Sequence, residues 1–164
     1  MYVLDMTIRP TALGTPYVVD LGSCQVQAFE AGPADGPVVL FVQGLLVNAD
    51  IWRDVVPTLS AGGARCITVD WPLGAHSIPA PAADLTPPGV AALIGRLMDR
   101  LDLEDATIVA NDTGGALTQI LMATLPSRLG RVVLTPSDSF EKFFPAMFKP
   151  LTWLAHLPGL SSRG

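Results

Sequence analysis

The sequence predicts an α/β fold, a doubly wound and mostly parallel sheet with helices on both faces. Three observations carry this expectation. Apolar runs of strand length at 37–42, 65–69, 106–110 and 131–135 are separated by segments of helical period. The run at 37–42 is continuously apolar, as expected of a strand buried on both faces. The alternation of the runs with helices implies parallel neighbours joined by right-handed crossovers.

The elements follow in order. Residues 17–21 (YVVDL) and 24–30 (CQVQAFE) read as two strands that turn at Gly22–Ser23, an opening hairpin. Gly32–Gly36 is a Pro/Gly turn, and PVVLFV at 37–42 is the first buried parallel strand. Trp52, Val55, Val56 and Leu59 stand at i, i+3, i+4 and i+7. That spacing predicts a helix starting near Asn48 or Asp50 and ended by Gly62–Gly63. RCITV at 65–69 is the next strand, followed by a Pro-rich loop over 72–88. The clearest helix carries Val90, Leu93, Ile94, Leu97, Met98 and Leu101 on one stripe. Thr86 is its expected N-cap, with Pro87–Pro88 in the first turn. A strand at 106–110, a helix over about 115–125 and a strand at 131–135 complete the pattern.

Composition narrows the function. Hydrophobic residues make up 49% of the 164 residues and charged residues 15%. Soluble domains average about 25% charged. A charge-poor surface fits a largely buried sheet, or a fragment whose partner surface is absent. The net charge of −5, with no basic run, argues against nucleic-acid binding. Cys24 and Cys66 sit in strand-like runs without metal-ligand spacing, so they read as buried thiols in a reducing compartment. Asp5 and Arg9 interrupt any apolar leader, and no run approaches the ~18 apolar residues of a membrane helix. The expectation is a cytoplasmic protein that does not contact membranes.

Ligands of such sheets bind at the carboxyl ends of the strands. Those ends are Gln43–Asn48, Asp70–Ser77, Asn111–Gly115 and Pro136–Glu141. The third has the form small-x-nucleophile-x-small, with Ala110 and Gly114 flanking Asp112. Small flanking residues permit a tight strand–helix turn that lifts the central side chain above the sheet. A carboxylate there can attack carbon and form an ester. The following helix N-terminus adds positive potential and N–H groups. Spacing alone leaves two other readings open. Asp112 could simply cap the helix, and the glycine pair could be a phosphate turn, although GxGxxG and GxxxxGKS are both missing.

Four stretches, taken jointly, carry a resemblance. They are Phe41-Val42-Gln43-Gly44 with Ile51-Trp52-Arg53; Asp70-Trp71-Pro72-Leu73-Gly74; Asn111-Asp112-Thr113-Gly114-Gly115; and Arg131-Val132-Val133-Leu134. From about Tyr17 to Phe144 the chain resembles the N-terminal part of the α/β hydrolase superfamily. Within it, the chain looks like the haloalkane dehalogenase and epoxide hydrolase-like branch, which uses an Asp nucleophile.

The resemblance implies a C-terminally incomplete α/β hydrolase sheet. Residues 1–140 would be the N-terminal part of the core, and 141–164 the start of a truncated helical cap. It implies Asp112 as nucleophile, with the backbone N–H groups of Thr113 and Leu45 as oxyanion donors. Asp138 is the candidate acid, with Glu141 nearby. Gln43, Trp71, Phe144 and Phe148 are expected to line a small apolar substrate, the two phenylalanines on a stripe with Met147, Leu151 and Leu154. No metal or organic cofactor is implied.

The departures are specific. Gln43-Gly44 stands where the family has His-Gly. Leu45 and Thr113 occupy the positions of the dehalogenases' halide-binding Asn and Trp, so halide removal is not expected. Tyr2 and Tyr17 are far from any cap, which argues against epoxide activation by cap tyrosines. The family's catalytic His follows its eighth strand, whereas this chain has only His76 and His156. His76 reads as a loop residue bonded locally. Turnover by the isolated chain is therefore not expected. The alternative is a non-catalytic truncated fragment or one half of a two-chain assembly. A nucleotide-binding module is disfavoured by the missing glycine fingerprint. An exposed edge at 131–135 would invite self-association.

Overall fold

The computed structural model describes residues 11–137. The positions Asp138, Glu141, Phe144, Phe148 and His156, and the expected cap over 141–164, lie outside the described residues.

Six strands form one sheet: β1 (Thr15–Asp20), β2 (Gln25–Ala31), β3 (Val38–Val42), β4 (Arg65–Val69), β5 (Ala106–Asp112) and β6 (Leu129–Ser137). Their spatial order is β1-β2-β4-β3-β5-β6. β1 and β2 make the expected antiparallel hairpin, and β2 is antiparallel to β4. The pairs β3–β4, β3–β5 and β5–β6 are parallel. The helices are α1 (Val56–Ala61), α2 (Pro87–Arg100) and α3 (Thr113–Thr124).

Strand periodicity of two divides the core between the faces of this sheet. Leu40 and Val42 of β3 join Ile67, Val69, Ile108 and Ala110 beneath α2 and α3. Phe41 points the other way, with Cys66, and packs against Leu13, Trp52 and Val56. Helices therefore do cover both faces. The α2 stripe fills the larger cluster, with Val90, Leu93, Ile94, Leu97 and Met98 all buried. Each such side chain contributes about 1.5–3 kcal/mol by leaving water. Thr86 caps α2 as its sequence context predicts, its hydroxyl accepting from the Gly89 N–H at 3.2 Å.

One expectation fails. The segment with Trp52, Val55, Val56 and Leu59 is not a continuous helix. Asn48 caps a 3-10 turn over Ala49–Trp52, and the α-helix begins only at Val56. Pro57 explains the break. It has no N–H to bond back into the preceding turn, but it suits the first turn of a new helix. Only Trp52 and Val56 are buried; Val55 and Leu59 face solvent. A second difference is that β5 runs to Asp112 and α3 starts at Thr113, with no loop between them.

Both cysteines are free and buried, and burial pushes both thiols up in pKa. They are therefore poor nucleophiles. Among the described residues no helix is long and apolar enough to cross a membrane.

Candidate active site

The direct passage from β5 into α3 makes Asp112 a pivot. Its backbone has φ 55° and ψ −133°, a conformation that non-glycine residues rarely adopt. Asp112 occupies the N-cap position of α3 but makes no side-chain capping bond to it. The plain capping role is thus absent, and the side chain is exposed above the sheet.

The glycines beside it are required by close approach. A Cβ on Gly114 would collide with the carbonyl oxygens of Val42 and Gln43, so α3 can start this near the end of β3 only with glycine there. A Cβ on Gly115 would strike the Ser137 side chain at the end of β6. A Cβ on Gly44 would land on the Asp112 carboxylate itself. The segment after β3 therefore lies against the side chain that the turn presents. Thr113, buried at the head of α3, is the residue after Asp112, and Leu45 is the residue after Gly44. Each predicted donor position is thus one residue from this contact in sequence.

Asn111 braces the turn laterally. Its amide donates to the Thr135 hydroxyl at 3.0 Å, and that hydroxyl donates to the Ala110 carbonyl at 2.9 Å. The β5–β6 register shifts between Ala110 and Asp112, so Asp112 pairs with Ser137. Such an irregularity re-aims a side chain at a strand end.

Gln43 and Trp71, expected to touch substrate, are instead sealed inside. Gln43 is 0% exposed; its amide donates to the Val69 carbonyl and its oxygen accepts from the Trp52 indole. Trp71 is 1% exposed and donates to the Phe41 carbonyl. Both spend their polar groups on protein partners, because a buried polar atom left without one would cost too much. His76 is bonded locally, its Nδ1 accepting from the Gly74 N–H at 3.4 Å.

Two residues without an assigned role belong to this site. Asp70, 2% exposed, accepts from the Ala49 N–H at 3.0 Å, and Trp52 reaches Gln43. The available signal was an acidic residue placed immediately after a buried strand.

The α/β hydrolase fold family matches residues 37–161. The chain belongs to that family. This α/β hydrolase is 36% identical over 115 residues to a haloalkane dehalogenase of Mesorhizobium japonicum, covering 70% of this chain and 36% of that protein. It is 31% identical over 144 residues to the magnesium-chelatase 30 kDa subunit of Rhodobacter capsulatus, covering 82% of this chain and 48% of that one. Among solved structures, the haloalkane dehalogenase DatA of Agrobacterium tumefaciens superposes with a TM-score of 0.69 at 24% identity, covering 79% of this chain and 44% of that one. The chain therefore spans less than half the length of these relatives. It falls in the dehalogenase and epoxide hydrolase-like branch that its motifs indicated, matched in its N-terminal part.

Proposed function

We propose that this chain carries the nucleophile and oxyanion half of a hydrolase that opens a carbon–heteroatom bond in a small apolar substrate. The observation that carries the reading is Asp112, held out on a strained strand–helix turn with Gly44 packed against its carboxylate.

In the first step one carboxylate oxygen attacks the electrophilic carbon. The carbon–heteroatom bond breaks, the leaving group takes the electron pair, and an ester forms on Asp112. The N–H groups of Thr113 and Leu45 hold the oxygen that does not attack. In the second step water adds to the ester carbonyl, and the same two groups bear the oxyanion. That water needs a general base within hydrogen-bond reach. His76 is committed to Gly74, and it lies on the loop after β4. Among the described residues His76 is the only histidine, so the reading expects the ester to accumulate. The same feature favours a second reading, in which the chain is non-catalytic alone or is one half of a two-chain assembly that supplies the base.

Incubation with excess styrene oxide tests both steps. Ring opening leaves the departing oxygen on the bound molecule, so the expected course is about one added epoxide mass per chain with no diol released, as for an accumulating covalent intermediate. Asp112→Asn should take no label. Sustained release of diol would contradict that accumulation and direct attention to His76→Ala. The same label in Asp112→Asn would remove Asp112 from the mechanism.

A further inference from the structure

We propose that Gln43 and Trp52 form a positioning pair that fixes the Gly44–Leu45 peptide, and through it the Asp112 carboxylate. The proposal rests on the aspartyl-ester reading and names the residues that hold its oxyanion loop in this chain.

The argument starts from the polar inventory of Gln43. Its amide N–H donates to the Val69 carbonyl at 2.6 Å, and its side-chain oxygen accepts from the Trp52 indole N–H at 3.3 Å. Val69 requires a donor and the indole requires an acceptor, so the amide can sit only one way round. This one side chain bridges the end of β4 and the 3-10 turn that follows the loop. Gln43 opens the Gly44–Asn48 segment and Trp52 lies just past its end, so the bond between them closes the loop on itself.

Trp52 is itself immobilised. It is 6% exposed, and its ring meets Phe41 with centroids 4.9 Å apart at 45°. The bridge thus hangs on the packed face below the sheet rather than on solvent. Gly44 follows Gln43 directly and touches Asp112 closely enough that no Cβ fits between them. A small shift of that backbone therefore moves the carboxylate or the donor beside it. The rest of the loop has separate anchors, Leu46 N–H on the Leu73 carbonyl at 2.9 Å in its middle and Ala49 N–H on the Asp70 carboxylate at 3.0 Å just past its far end. Loss of the pair loosens the end next to Asp112 without releasing the whole segment.

Trp52→Phe tests this, because it removes the indole N–H and keeps an aromatic ring on Phe41. The rate of ester formation with styrene oxide is followed across concentrations by intact mass. The limiting rate should fall roughly tenfold or more, as for a misplaced reacting group, with half-saturation unchanged. Amide hydrogen exchange should quicken at Gly44 and Leu45 and stay as it was at Ala49, in β5 and in α3. Gln43→Leu should reproduce both effects. Unchanged exchange in the loop would show that the bridge does not hold it. Faster exchange with an unchanged limiting rate would make the pair merely structural. If the unsubstituted chain takes no label, the aspartyl-ester reading itself fails, and the positioning role falls with it.

Discussion

At Asp112 the fold accepts a locally unfavourable backbone. A non-glycine residue at φ 55° and ψ −133° costs on the order of 1–3 kcal/mol. That cost is what lifts the carboxylate clear of α3. Asp112→Gly should relieve it, and the greater freedom of glycine in the unfolded chain offsets part of the gain. The expected result is about 1 kcal/mol of added stability by urea unfolding, together with complete loss of reactivity. A destabilised variant would mean that the turn holds no strain. The elbow was legible in the sequence because Ala110, Asp112 and Gly114 fall within five residues. The supports around it were not. Gln43 meets Val69 across 26 residues of chain, and Asp70 meets Ala49 across 21. No local pattern records such partners, so Gln43 read as a substrate contact and Asp70 had no role.

Among the elements, α2 and α1 show what periodicity can decide. The α2 stripe and its cap lie within one uninterrupted segment, and the structure has both. Thr86→Ala removes the hydroxyl that accepts from Gly89 and donates to Asp84, while the backbone N–H of residue 86 keeps its bond to the Asp84 carboxylate. It should cost about 1 kcal/mol in thermal or urea unfolding, the usual worth of an N-cap. No measurable loss would mean that Pro87–Pro88 alone sets the helix start. The α1 segment shows the same apolar spacing, yet Pro57 splits it into a 3-10 turn and a short helix. Spacing reports which residues share a face only where the backbone can continue the helix. The strand runs succeeded for the opposite reason. A strand buried on both faces needs only a continuous apolar stretch, and β3 has one.

For the molecule as a whole, one polar cluster ties the antiparallel strands to the parallel sheet. Arg65 on β4 donates twice to Glu30 on β2, at 2.8 and 3.2 Å, and Tyr17 on β1 donates to the same carboxylate at 3.3 Å. The hydrogen bonds from Arg65 hold the Glu30 carboxyl below its ordinary pKa. A depressed folded pKa contributes stability above the unfolded value, about 4.3, and that stability is lost as pH falls through the folded value. Glu30→Gln should therefore be less stable near neutrality and show a flatter decline below about pH 4 than the unsubstituted chain. Parallel acid limbs in urea midpoints would contradict it. At the opposite side, β6 is an edge of the sheet among the described residues, with Val133 and Leu134 each nearly half exposed. An apolar groove of about 850 Å³ runs along α3, lined by Ala116, Ile120, Met122 and Ala123 among others. We expect concentration-dependent association in sedimentation, weakened by the double substitution Val133→Lys and Leu134→Lys. A monomer at all concentrations would contradict that expectation. The central claim, that Asp112 attacks carbon, is tested most directly by tryptic mapping after reaction with styrene oxide. Trypsin releases residues 101–128, which contain Asp112 together with Asp102, Glu104 and Asp105. The account predicts one added epoxide mass on this peptide, localised by fragmentation to Asp112. Label on any other acid, or equal label in Asp112→Asn, would contradict it.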